Sequence, residues 1–262
     1  MNELIELSIF NRITFLEKDH VYLIDGNPTN APSVTRLLKR YKRKFDQDLI
    51  AARVAKKRKC PKEQVILEWE LNNVLSTTLG TMVHKYIENY YGNKRVEFEG
   101  SFDRLGSAEK KQIQEAFPKA VKQFQNFFQD NSHLISVKNE QPLGDIDGSK
   151  VCGMCDLLCF NKLSGTFEIL DFKTNKKMNS TTKWGNLLPP FDYMTEGEVN
   201  EYTIQLNCYK YFIEKYTSIN ITKLKLVWLY HGNENYQVFE LPDIQNDVKN
   251  ILTTSFFSHA KE

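Results

Sequence analysis

Gly153–Met154–Cys155–Asp156–Leu157–Leu158, followed by Phe167–Glu168–Ile169–Leu170–Asp171–Phe172–Lys173, is the stretch that decides the fold of this chain. Asp171 and Lys173 are two apart on a strand, so both side chains leave the same face. The apolar run before them places a carboxylate and an ammonium at the end of a buried strand. Asp156 lies in an earlier apolar stretch, Val151 to Phe160, and the Asn161–Gly165 turn makes a hairpin that can bring it beside Asp171. Neighbouring carboxylates repel unless they share a cation, and oxygen ligands suit Mg²⁺ or Mn²⁺. Lys173 can then orient or deprotonate a water, or stabilise charge developing on a phosphate. Taken alone, Asp-x-Lys also describes a buried ion pair.

Working outward, alternation predicts strands over 134–141, 150–160 and 166–173. Upstream, Leu67, Leu71, Val74, Leu75 and Leu79 recur at helical spacing in a predicted helix over 63–91, with Gly80 able to kink it. A second helix over 107–131 carries Ile113, Phe117, Val121, Phe124 and Phe128 on one side, with Pro118 as a kink or true start. Nearer the N-terminus, residues 11–26 read as a hairpin, and Ser33 is placed to cap a helix through Phe45, followed by a basic helical stretch to Lys59. Downstream come an irregular loop over 174–197, a helix over 198–216, strands over 222–230 and 235–240, and a terminal helix over 242–258. This order predicts an α/β fold, a mixed central sheet flanked by helices. It divides into an N-terminal hairpin and basic helical region (1–62) packed on a core (63–262).

The net charge of +2 hides an asymmetry: residues 1–62 carry 14 Lys/Arg against 7 Asp/Glu, and residues 63–262 carry 21 against 26. Clusters such as Lys39–Arg40 and Lys56–Lys57–Arg58–Lys59 attract phosphate backbones, or form a solvated helix face. No apolar run reaches the ~18 residues of a membrane span, and no signal peptide is read at the N-terminus. The expectation is no membrane partner and a cytosol-like intracellular compartment. The odd number of cysteines, five, points to free thiols. Cys152, Cys155 and Cys159 superficially resemble a cluster-binding run, but strand alternation sends Cys152 and Cys155 to opposite faces, so no iron–sulfur cluster is expected.

Further motifs flank the strands. Gly80-x-x-x-His84 lies on the upstream helix, and Gln205-x-x-x-Tyr209 on the downstream one, each pair sharing a face. In this order (GxxxH, Asp, DxK, QxxxY) the chain resembles PD-(D/E)xK nucleases of the RecB type. Ala31–Pro32–Ser33–Val34–Thr35 and the residues around His84 and Gln205 look like phage-type exonucleases and mitochondrial genome maintenance exonuclease-like proteins. The resemblance implies a restriction-endonuclease-like core and DNA hydrolysis with one or two Mg²⁺ or Mn²⁺ ions. It implies Asp156, Asp171 and Lys173 as the catalytic set. The metal ligands would be His84, Asp156, Asp171 and the Phe172 backbone carbonyl, with Glu140 as an added carboxylate or an ordinary strand residue. Gln205 and Tyr209 would contact DNA or shape the site. Ser33 and Thr35 sit where a helix start can grip phosphate or simply be capped. Lys176, Lys177, Trp184, Phe191 and Tyr193 mix charge with aromatic rings, which suits single-strand binding or loop packing.

The expected activity is a metal-dependent DNA exonuclease favouring single-stranded ends or flaps, in replication, recombination or repair, of phage or related origin, with replication or recombination proteins as possible partners. A structure-specific endonuclease on the same fold and a non-cleaving DNA-binding module are the competing readings.

Overall fold

The computed structural model describes residues 2–17, 19, 21–29, 31–92, 105–147, 151–182 and 185–253. Helix α1 (Asn2–Leu7) and a 3₁₀ turn lead into a small sheet of β1 (Ile13–Leu16), β2 (Val21–Ile24) and β3 (Asn27–Pro28). Three helices follow: α2 (Val34–Leu38), α3 (Gln47–Arg58) and the 30-residue α4 (Lys62–Tyr91). After α5 (Ser107–Asp130) come β4 (Leu134–Gly144), β5 (Cys152–Asn161) and β6 (Thr166–Lys173). Helix α6 (Glu198–Tyr216) connects β6 to β7 (Ile221–Trp228), and β8 (Gln237–Leu241) and α7 (Gln245–Thr253) complete the described chain.

The five strands β4 to β8 pair in chain order, antiparallel throughout except β6 with β7. That parallel pair needs a crossover, which α6 supplies. The sheet is mixed and covered on both faces. One face packs Leu157, Cys159, Leu170, Phe172 and Val227 against Leu79, Val83 and Ile87 of α4 and Ala116, Ala120, Phe124 and Phe127 of α5. The other packs Leu158, Ile169, Leu224 and Leu226 against α6, α7, α2 and the N-terminal hairpin. Successive residues of β6 alternate between the two cores, so Asp171 and Lys173, in phase with Ile169, project towards α6. Alternation fails at the start of β5, where the strand pairs with β4 alone: Cys152 and Cys155, predicted on opposite faces, join the same core, and Cys159 joins the other.

The N-terminal region shares this core. Leu7, Phe10, Ile13, Tyr22, Ile24, Val34, Leu37 and Leu38 belong to the same buried cluster as β5 and β6, and α4 begins at Lys62, where the sequence reading divided the chain. The predicted helix after Ser33 is shorter than expected, ending in a 3₁₀ turn at Tyr41 before a separate α3 capped by Asp46. α3 packs on the first half of α4 through Ala51, Ala55 and Val65. Leu67 and Leu71, read as part of the buried stripe, are 66% and 37% exposed, because this stretch of α4 turns Val65, Ile66 and Trp69 to α3 instead. Pro118 neither starts nor ends α5. Among the described residues no helix is long and apolar enough to cross a membrane.

Helix α4 also passes through Gly80 without interruption, and a methyl group there would meet only Thr174 Oγ1, at an ordinary 3.5 Å. Gly80→Ala is therefore expected to stabilise the fold by about 0.5–1 kcal/mol in urea denaturation, through the lower helix propensity of glycine. A loss of stability would show that the glycine is sterically required.

Candidate functional site

The ends of β5 and β6 meet α4 at the peptide groups of Phe172. Its N–H donates to Asp156 Oδ2 (2.8 Å), and its carbonyl lies 2.8 Å from His84 Nε2. A carbonyl only accepts, so Nε2 carries the proton and Nδ1 faces the other way, 3.6 Å from Asp156 Oδ2 and 3.7 Å from Glu140 Oε1. These gaps exceed hydrogen-bond length. Each residue offers one ligand atom, and the three lie within 4.8 Å of one another. Two ligands at 2.0–2.2 Å from one ion are at most about 4.4 Å apart, so small adjustments let a single cation touch all three. His84, Glu140 and Asp156 could thus hold a metal ion, and no other group of three or more such side chains is found among the described residues.

Glu140 reaches this point through unusual backbone. Its φ is +45°, in the left-handed region that a non-glycine residue rarely occupies. Register runs from Asn139↔Leu157 to Gln141↔Cys155, so Glu140 falls opposite Asp156 at an interruption in the ladder. Strain of this kind persists only where the surroundings impose it, and it concentrates at functional sites. The residue read as a marginal carboxylate is therefore a full member of the group.

Asp171 is placed differently. It is fully buried, its side chain ion-pairs with Lys173, and among the described residues no hydrogen-bond donor reaches its Oδ1. Burial and the nearby Asp156 charge push its carboxyl up to about 6, against the pull of Lys173. Lys173 is largely buried. Desolvation disfavours its charge, but Asp171 and Asp156 outweigh this and hold the ammonium protonated well above its usual range. The ammonium also sits 4.9 Å from the centroid of the Tyr202 ring. Held protonated in this way, Lys173 stands in the site as a cation rather than as a base. Burial pulls the His84 imidazole down, but Asp156 and Glu140 more than offset it, to about 9. Three acids, a histidine and a lysine thus share one corner, buried at Asp171 and open to the cleft at His84 and Glu140.

Asp171, expected as a ligand, is not in the converged group, because its carboxylate is drawn to Lys173. The Phe172 carbonyl, also expected as a ligand, already accepts a hydrogen bond from His84. Gln205 and Tyr209 are buried and hydrogen-bonded to each other (2.8 Å), and both line the cleft that holds His84, Glu140 and Asp156. This cleft, of about 320 Å³, is also lined by Ser33 and Thr35, so α2 and the hairpin form its far wall. Ser33 Oγ accepts the Arg36 N–H as a helix cap and lies 2.9 Å from Thr35 Oγ1. Lys176 and Lys177 are exposed, and Lys176 lines a separate cavity between α4 and α5. Trp184 lies outside the described residues. Phe191 is fully buried against Tyr41, so its ring is not free for stacking on a base, whereas Tyr193 is exposed and hydrogen-bonds Asp247 through its hydroxyl.

The sequence reading missed Glu17, Tyr22 and Met154 in the cleft and Arg36 in an adjoining pocket that shares Ser33, Thr35 and Tyr22; Lys39, read as part of a basic cluster, lines that pocket too. Arg36 and Lys39 are i and i+3 on and just after α2, a spacing that does signal one face; the cleft contacts of the hairpin have no local signature. No family model matches the sequence, and the comparison with curated proteins found no match.

Gly153 has a geometric reason to be glycine. A methyl group there would sit 2.5 Å from Tyr209 Cε1. Gly153→Ala is expected to destabilise the protein by about 1–3 kcal/mol through overpacking. Combined with Tyr209→Ala, which removes the ring, its further cost should nearly vanish in a double-mutant cycle followed by chemical denaturation; additive costs would refute the contact.

Proposed function

We propose that the protein is a divalent-metal-dependent deoxyribonuclease built on a PD-(D/E)xK core of the RecB type, acting as an exonuclease on single-stranded ends or flaps. The observation that carries this reading is the convergence of His84, Glu140 and Asp156 beside the buried Asp171–Lys173 pair. The element order supports it: a helix bearing GxxxH, the strands bearing Asp156 and Asp-x-Lys, and the crossover helix bearing QxxxY surround one point. The adjoining pocket with Arg36 and Lys39 offers cationic side chains for a phosphate backbone.

His84, Glu140 and Asp156 would hold the ion, and one imidazole among carboxylates favours Mn²⁺ over Mg²⁺. Bound there, the metal supplies Lewis-acid activation of a water and charge stabilisation on the phosphate. The protein's own groups do the rest. Phe172 orients Asp156 through its N–H and His84 through its carbonyl, which keeps Nδ1 of His84 directed at the carboxylates, where a bound cation would take the place of its proton. Asp171 keeps Lys173 charged, and the ammonium is placed to steady the negative charge that develops at phosphorus. Gln205 and Tyr209 wall the cleft and limit the water that enters it.

Asp156→Ala, Asp171→Asn and Lys173→Met should each abolish cleavage of end-labelled DNA, with Mn²⁺ supporting a faster wild-type rate than Mg²⁺. Removing one member of the buried pair leaves the other unpaired at about 3–5 kcal/mol, so the double Asp171→Asn/Lys173→Met variant serves as the folded control. Wild-type rates in any single variant would refute the assignment, and degradation of circular single-stranded DNA would replace exonuclease with endonuclease. Separately, His84→Ala and Glu140→Ala should weaken Mn²⁺ binding in calorimetric titration by at least the roughly 10–100-fold that loss of an outer-shell partner costs. Unchanged affinity would show that the ion binds elsewhere.

A further inference from the structure

A second cavity, of about 190 Å³, opens between α4, α5 and the segments that follow β6 and β7. Its polar lining is Asn72, Ser76, Gln112, Thr174, Lys176 and His231. None of the six side chains makes a hydrogen bond or ion pair among the described residues, and Nδ1 of His231 is buried without a partner. Asn72, Ser76, Gln112 and Lys176 are exposed at the mouth of the hollow, whereas a buried polar atom is ordinarily satisfied, so the unpartnered Nδ1 of His231 inside it marks a place for a ligand. No carboxylate lines the cavity, and Lys176 is the one lysine or arginine that does. The ligand is therefore an anion. The volume is below the roughly 300–1,000 Å³ of pockets that enclose a drug-sized molecule, which favours a phosphoryl group over a whole nucleotide.

The position ties this hollow to the metal corner. Thr174 follows Lys173 directly, and Gly80 of α4 approaches Thr174 one helical turn before His84. Asn72, Ser76 and Leu79 stand five to twelve residues before His84, about 8–18 Å along the helix axis. At about 3.4 Å of rise per nucleotide in a duplex strand, that span covers a few phosphates.

We propose that this cavity is a phosphate subsite, in which Lys176, His231 and Thr174 grip a phosphate a few nucleotides from the one at the metal corner. The anion chemistry stands on the cavity alone; its assignment to a nucleic-acid strand rests on the nuclease reading. A free mononucleotide offers the same group and is separated by the choice of probe.

The test is titration of the whole protein in EDTA with three probes: oligo(dT) of 12 nucleotides, thymidine 5′-monophosphate and inorganic phosphate. Lys176→Glu and His231→Gln are compared with Lys162→Glu, which makes the same charge change at the exposed β5–β6 turn. Losing a charge-assisted contact should weaken binding roughly tenfold or more. Weaker oligo(dT) binding in the first two variants alone supports a strand phosphate. The same pattern confined to the monophosphate and inorganic phosphate supports the subsite with a free nucleotide as its ligand. Equal affinities for all probes in Lys176→Glu and Lys162→Glu overturn the subsite. Should wild type cut DNA while that equality holds, the nuclease reading survives and the subsite falls. Variant-specific loss of phosphate binding in a protein that cuts no DNA does the reverse.

Discussion

The peptide groups flanking the Phe172 side chain hold the candidate site together. One edge of that backbone, its N–H, fixes Asp156; its carbonyl fixes His84. The ring itself packs edge-on to Phe124 and Phe127, in the core between the sheet and α5. A residue that anchors β6 by its side chain thus sets two polar side chains by its main chain. The bond to Asp156 is shielded from water, where it is stronger than at a surface, and the bond to His84 is partly so. Neither Asp156 nor His84 can reorient without loosening the end of β6.

Around that anchor the fold balances charges that would be costly singly. Asp171 is removed from solvent and Lys173 largely so, and such a pair is weak support for stability, since desolvation offsets most of its Coulomb gain. Its persistence at the end of the central strand makes sense as chemistry, because it keeps an ammonium charged in a largely buried corner next to two further carboxylates. The strained backbone at Glu140 points the same way: the interruption of the β4–β5 ladder turns a carboxylate towards His84 at a cost of order 1–3 kcal/mol. By contrast, Glu168 and Lys225 form a largely buried pair at the far end of β6 that Asn161 completes, a satisfied arrangement.

Much of this architecture was legible from spacing. Period-two runs located β4 to β6, helical spacing located α4, α5 and α6, and Ser33 was correctly placed as a cap, because each signal depends on neighbours a few residues apart. The Asp-x-Lys spacing put Asp171 and Lys173 on one face for the same reason. Burial was less legible. Leu67 and Leu71 follow the helical stripe of α4 yet stay exposed, since whether a stripe finds a partner depends on which face α3 covers. Phe191, read as a possible stacking ring, is core for the converse reason.

The sequence by itself determined which chemistry the chain carries: two acids and a lysine on adjacent strands, a histidine and a Gln–Tyr pair on helices before and after them. Only the tertiary structure decided who meets whom. It joined Glu140 to His84 and Asp156, drew Asp171 to Lys173, brought Ser33 and Thr35 across from the hairpin side, and sent Lys176 to a different cavity. Local spacing sets the face a side chain leaves from. The distance between faces is set by strand register, by one backbone outlier and by the packing of two helices on opposite sides of a sheet, and those arise from contacts between residues far apart in the chain.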